Sequence, residues 1–251
     1  MVAYTYDGKP VTAEDMKCAG AMTVLLKDAL MPNLIQTLEG NACFMHAGPF
    51  ANIAQGNSSV VADLIATKLA DYVITESGFG ADCGAEKMMH IKVRAMEKYG
   101  IRPDCVVITC TVRALKMHGG AFEARPGKPI PDEVQAKENY RALEEGCQNL
   151  VKHIENMKNF GLPVVVTINR RATDRDREIK MVHHIALNAG ADFCEPIDVW
   201  AKGGRGGTTA AKAIVEACEM PNDFHYLYRD ADPIKKKIET IATKIYGADG
   251  V

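Results

Sequence analysis

Five stretches of this 251-residue chain gather glycines, amides, hydroxyls and charged groups just after short apolar runs: HAGPFANIAQGNSS (46–59), ESGFGADCGAEK (76–87), VRALKMHGG (112–120), RRATDRD (170–176) and PIDVWAKGGRGG (196–207). Gly78, Gly80 and Gly84 let backbone N–H groups approach an anion, and the helix that follows would add its positive N-terminal end. Their spacing matches no dinucleotide fingerprint. Lys202, Gly203, Gly204, Arg205, Gly206 and Gly207 open a predicted helix near Thr208. They suit a cradle for phosphate or carboxylate, or a flexible turn with a threonine cap. Trp200, the only tryptophan, stands beside them, and a flat π-face in a cleft suits a heteroaromatic ring. His46 and His118 also follow apolar runs, where acid–base chemistry and a hydrogen-bonded structural role are both open. His90, His153, His183 and His184 lie on predicted helices without zinc-like spacing and read as surface or packing residues. Asp174, Arg175, Asp176, Arg177 and Glu178 read as a solvated helix start, with a capping box from Thr173 to Asp176.

Strands must hold these stretches in place. Ala42–Met45, Tyr72–Thr75, Cys105–Thr111, Val164–Asn169 and Asp192–Glu195 are short and mostly lack polar alternation, the pattern of strands covered on both faces. Helical periodicity runs through Ala19–Leu38, Ser59–Ala70, Ala85–Lys98, Lys137–Asn159, Asp174–Ala189, Thr208–Glu219 and Pro233–Tyr246, with Ser58 or Ser59 as a cap. Alternation of strand and helix implies right-handed crossovers and a mostly parallel sheet with helices on both faces. Ligands of such sheets bind beyond the carboxyl ends of the strands, so five polar strand ends predict one shared ligand edge. The segment GGAFEARPGKPIPD (119–132) is too long for an ordinary connection and reads as a functional loop or flap. A soft boundary near residue 150 would divide the chain into residues 1–150 and a smaller α/β domain, 151–251.

Composition narrows the function classes. A chain 47% hydrophobic and 25% charged can pack a core, and a formal net charge of −2 argues against nucleic acid as the main partner. No apolar run approaches the roughly 18 residues of a membrane span, and the N-terminal stretch carries acids where a signal peptide would be basic and apolar. Eight cysteines without a CxxC pair read as small reduced core residues of a cytoplasmic protein, with no metal site. GxxxxGK[ST], GxSxG and HExxH are all absent from these 251 residues.

YTYDGKPVTAEDM, HAGPFANIAQGNSS, TESGFGADCGAEK, TVRALKMHGG and VWAKGGRGG, in this order and spacing, strongly resemble the formate–tetrahydrofolate ligases, from about Val2 to Val251. The resemblance implies a P-loop NTPase-like α/β domain followed by a smaller α/β domain. It implies an ATP-dependent ligase in which formate attacks the γ-phosphate of MgATP. The N10 amine of tetrahydrofolate would then take the formyl group from formyl phosphate and release phosphate. A monovalent cation and a homotetramer belong to the same expectation. The family's phosphate-binding loop lysine and its formyl-phosphate arginine have no counterpart here, so the chain reads as an incomplete copy, inactive alone. The alternative is a non-catalytic folate-binding or assembly module that needs a separate N-terminal part.

Site residues follow from the same resemblance. Trp200 matches the tryptophan that stacks on the pterin ring, and Arg171 stands where the family has a phenylalanine on the other face. A planar guanidinium can stack on a π system. Glu76, Ser77, Gly78 and Phe79 would lie under the pterin. Asn169, Pro196, Lys202, Gly203 and Gly204 would form the nucleotide or phosphate wall. His46, Phe50 and Asn52 would line or brace it.

Overall fold

The computed structural model describes residues 1–48 and 54–251, which gather into two compact units. The first holds residues 1–48 and 58–75. Its elements are β1 (Ala3–Tyr4), β2 (Pro10–Val11), α1 (Ala19–Leu26), β3 (Asn33–Gln36), β4 (Ala42–Met45) and α2 (Val60–Leu69). The helix expected over Ala19–Leu38 stops at Leu26, and after one 3-10 turn, Asp28–Leu30, the chain turns extended. Pro32, with fixed φ and no N–H, bars further helix, and Gly40 at φ +85° closes a hairpin through the Thr37 amide and Asn41 carbonyl, 2.9 Å apart. β4 forms where expected but pairs antiparallel with β3 in a two-stranded sheet, and is only half-buried at Cys43 and Phe44. Tyr72–Thr75 forms no strand among the described residues. α2 is capped by Ser59, whose Oγ accepts the Ala62 amide at 3.0 Å.

The second unit takes in 54–57 and 76–251 among the described residues. It opens with a composite helix over residues 80–97, in which π turns, Gly80–Gly84 and Met88–Val93, alternate with α3 (Ala85–Lys87) and α4 (Arg94–Glu97). Then come β5 (Val106–Cys110), α5 (Val112–His118), α6 (Asp132–Ala136), α7 (Tyr140–Lys158), β6 (Val164–Asn169), α8 (Asp176–Asn188), β7 (Phe193–Ile197), α9 (Val199–Lys202), α10 (Thr208–Cys218) and α11 (Ile234–Lys244). The expected α/β class holds: β5, β6 and β7 form a parallel sheet with β6 in the middle.

The period-two alternation of a strand explains how β6 organises this unit. Val164, Val166 and Ile168 face a core shared with Leu150, Ile154 and Met157 of α7 and Ile179 and Val182 of α8. Val165 faces the other way, against Ala213 and Ala217 of α10. Helices thus cover both faces, and each fully buried branched side chain contributes about 1.5–3 kcal/mol. Thr167, on the α10 face, meets its hydroxyl partner Thr109 at 2.9 Å across the β5–β6 ladder. Residue 150 lies inside α7, and the sheet joins strands from both sides of it.

All eight cysteines are free thiols, with Cys147 and Cys194 buried in the core. His90 is a packing residue. Its Nδ1 lies 2.6 Å from Glu86 Oε1, its Nε2 accepts the Leu227 amide at 3.1 Å, and the Tyr228 ring stacks on it at 4.1 Å.

Candidate functional site

Three of the five polar stretches leave the carboxyl ends of one parallel sheet. In register, Ile168 lies beside Pro196 and Asn169 beside Ile197, and the next bond runs from the Arg170 amide to the Ile197 carbonyl at 2.9 Å. Arg171 is the next residue on its strand end, and Trp200 stands three residues past Ile197 on the neighbouring one. The ladder therefore brings Asn169, Arg171, Pro196, Trp200 and Lys202–Gly204 to one edge.

The β6–α8 loop is a tight turn. The Arg171 amide donates to Asp174 Oδ2 at 2.8 Å, and the Asp174 amide donates back to the Arg171 carbonyl at 3.0 Å. Arg171 keeps its side chain exposed, while Asp174 is buried. Burial pushes the Asp174 carboxyl above the ordinary carboxylate range, against the pull of the Arg171 amide. The expected Thr173–Asp176 box does not form. α8 starts two residues later, and Glu178 Oε2 accepts the Arg175 amide at 3.2 Å. Nor is this helix start solvated throughout, since Asp174 and Glu178 are both buried.

The β7–α10 loop is cinched at its base. The Asp198 amide donates to the Gly206 carbonyl at 2.9 Å, and the Lys202 amide donates to the Asp198 carbonyl at 3.0 Å. A Cβ on Gly206 would lie 2.2 Å from that carbonyl, so only glycine fits the approach. The Lys202 ammonium pairs with Asp198 Oδ2 at 3.0 Å. This loop holds Trp200 with 91% of its surface in water. An indole costs free energy when exposed, and its flat face here is available for stacking.

Glu76, Ser77, Gly78 and Phe79 have a different support within the same unit. They lead into the π turn Gly80–Gly84, where the Gly84 amide reaches the Phe79 carbonyl at 3.3 Å. Single π turns inside helices recur at functional sites. The Phe79 ring is 93% exposed. His46 belongs to the other unit, where its role is structural. Nε2 donates to the Ala29 carbonyl at 2.8 Å, which makes Nδ1 the acceptor of the Ser59 hydroxyl at 2.7 Å. Phe50 and Asn52 lie outside the described residues. Among the described residues, no group of three histidines, cysteines or acids is placed to hold a metal ion, and no helix is long and apolar enough to cross a membrane.

One feature of this region was hidden from the sequence. Lys116 of α5 and Glu178 of α8 meet at 3.0 Å with their side chains 1% and 0% exposed. In sequence each looks like an ordinary helix-surface charge. Only the apolar neighbours of Lys116 in VRALKMH gave any sign.

The chain as a whole matches a known family. The family model for formate–tetrahydrofolate ligase matches residues 1–251. The chain is 61% identical over its whole length to a formate–tetrahydrofolate ligase of Desulforamulus reducens and 51% identical to one of Dehalococcoides mccartyi. It is 48% identical to the cytoplasmic C-1-tetrahydrofolate synthase of Schizosaccharomyces pombe. The chain spans 44%, 41% and 28% of the lengths of these three relatives. With a match over all 251 residues, the chain belongs to the formate–tetrahydrofolate ligase family.

Proposed function

We propose that this chain supplies the tetrahydrofolate-binding edge of an ATP-dependent formate–tetrahydrofolate ligase. The observation that carries the reading is Trp200, held 91% exposed on a cinched loop beside the exposed Arg171 of the adjacent strand end. An aromatic ring and a guanidinium at one edge suit the two faces of a pterin. Glu76, Ser77, Gly78 and Phe79 would meet the pterin from the composite helix, and Asn169, Pro196, Lys202, Gly203 and Gly204 would form the nucleotide or phosphate wall. In the whole reaction, formate takes the γ-phosphoryl group of MgATP to give formyl phosphate and ADP. The N10 amine of tetrahydrofolate then displaces phosphate and loses its proton. Positioning and charge stabilisation suffice, without a covalent nucleophile from the protein. A monovalent cation, a homotetrameric assembly and a cytoplasmic location belong to the same proposal. The proposed roles of residues 1–150, nucleotide binding, and 151–251, folate binding, are divided along a shared sheet rather than between separate cores.

A second reading is favoured by one fact: these 251 residues contain no GxxxxGK[ST] loop. On that reading the chain binds folate but turns nothing over without a further part. Titrating tetrahydrofolate against Trp200 fluorescence, with ATP hydrolysis assayed in parallel, separates the two. Quenching without hydrolysis supports the binding module, turnover by these 251 residues alone contradicts the incomplete-copy reading, and no quenching contradicts both.

A further inference from the structure

The buried ion pair between α5 and α8 has no part in the reading above, yet it touches the loop that carries Arg171. The Lys116 ammonium has three acceptors around it: the Gln135 carbonyl at 2.7 Å, the Lys137 carbonyl at 3.2 Å and Glu178 Oε1 at 3.0 Å. The two carbonyls accept hydrogen bonds, and the carboxylate oxygen is held as an ion pair without hydrogen-bond geometry. Gln135, itself buried, cinches the same segment by donating from Nε2 to the Ile130 carbonyl at 2.6 Å. The second oxygen of Glu178 accepts the Arg175 amide, which directly follows the Arg171–Asp174 turn.

Burial of Lys116 depends on the close approach of α5 and α7. A Cβ on Gly146 would lie 1.7 Å from the Leu115 carbonyl, so a side chain there would force the helices apart. Two charges this deep are a poor way to gain stability, because apolar residues of similar volume often do as well or better. What the pair gives instead is fixed geometry. One ammonium ties the end of the 119–137 segment to the start of α8.

We infer that Lys116 is a positioning residue: through Glu178 and the Gln135 and Lys137 carbonyls, it sets the β6–α8 loop that presents Arg171 and holds down the 119–137 segment. The link to folate rests on the reading under Proposed function. The mechanical link does not.

The test uses the full 251-residue chain and two variants. Lys116→Met/Glu178→Leu replaces the pair by apolar residues of similar size, so that no orphan charge is left to unfold the protein. Glu178→Gln keeps the shape but has a single acceptor oxygen, so it can serve the Arg175 amide or the ammonium and not both. Hydrogen exchange is read at residues 130–137 and 170–178, and tetrahydrofolate affinity is read from Trp200 fluorescence. The double variant is expected to melt within a few degrees of the wild type while both segments exchange faster. Its tetrahydrofolate dissociation constant is expected to rise about tenfold, as for a displaced binding group. Glu178→Gln is expected to exchange faster at residues 170–178, while residues 130–137, tied to Lys116 by the Gln135 and Lys137 carbonyls, keep wild-type protection. Unchanged exchange at both segments in a folded double variant overturns the inference. Should the double variant fail to fold, wild-type exchange at residues 170–178 in Glu178→Gln overturns it. If the wild type itself does not answer tetrahydrofolate, the folate reading has failed, and the exchange result still decides the mechanical claim.

Discussion

At the scale of single residues, the edge of the sheet is defined by what each side chain can offer a flat, polar ring. Trp200 offers a π-face and Arg171 a planar cation, and the Arg171 side chain remains exposed while its backbone is locked by Asp174. Arg171→Ala should therefore weaken tetrahydrofolate binding about two- to fivefold, the worth of an exposed cation–π contact. Arg171→Phe, which would give the aromatic pair that the resemblance implies, should bind at least as tightly as the wild type. Equilibrium titration of both variants checks this, and an unchanged affinity in Arg171→Ala would remove Arg171 from the site. Trp200 and the glycine run stood out in sequence by type and by their place after apolar runs, whereas Arg171 came only from the resemblance. Lys116 and Glu178 did not stand out, because burial is decided by neighbours distant in sequence. His46 could be read either way until both its ring nitrogens were seen bonded to the protein.

At the scale of elements, the strand β6 was visible as VVVTIN, and its helices α7, α8 and α10 were visible by period, each within three residues of its expected bounds. These segments were legible because local pattern and tertiary burial agree. The misreadings fall where pattern and pairing diverge. Apolar periodicity carried Ala19–Leu38 past Pro32, although the proline and the later Gly40-Asn41 marked a break and a turn. Ala42–Met45 looked like a covered parallel strand because its residues are apolar, but its partner in the structure is the local, antiparallel β3. The loop after β7 depends on one glycine. Gly206→Ala forces a Cβ onto the Asp198 carbonyl, so it should cost about 1–3 kcal/mol of stability and displace Trp200. A lowered melting temperature together with weakened tetrahydrofolate binding is the expected pair of results. Wild-type values in both would show that the loop can relax without consequence.

At the scale of the whole molecule, the two units differ in how much apolar surface they cover. Residues 76–251 contain nearly all the buried core, from Met88 to Ile245. In residues 1–48 and 58–75, by contrast, Val24, Leu25, Leu34, Leu38 and Ile74 are exposed, and Ala62 is the one buried apolar residue described there. Stability follows burial, so amides of this first unit should exchange much faster than those of β5, β6 and α7. Peptide-resolved hydrogen exchange reads this directly. Equal protection in the two units would mean that the first is covered in solution. Alternation of strand and helix made the α/β class legible at this scale, while the division into units was not, because it depends on how much each segment buries.

The central claim is that the β6–β7 edge binds folate. The most direct measurement is a tetrahydrofolate titration of the chain followed by the emission of Trp200, its only tryptophan. A saturable quench that weakens in Arg171→Ala is the result expected from a pterin stacked at this edge. Emission that stays unchanged to millimolar tetrahydrofolate, with the chain folded throughout, would contradict it.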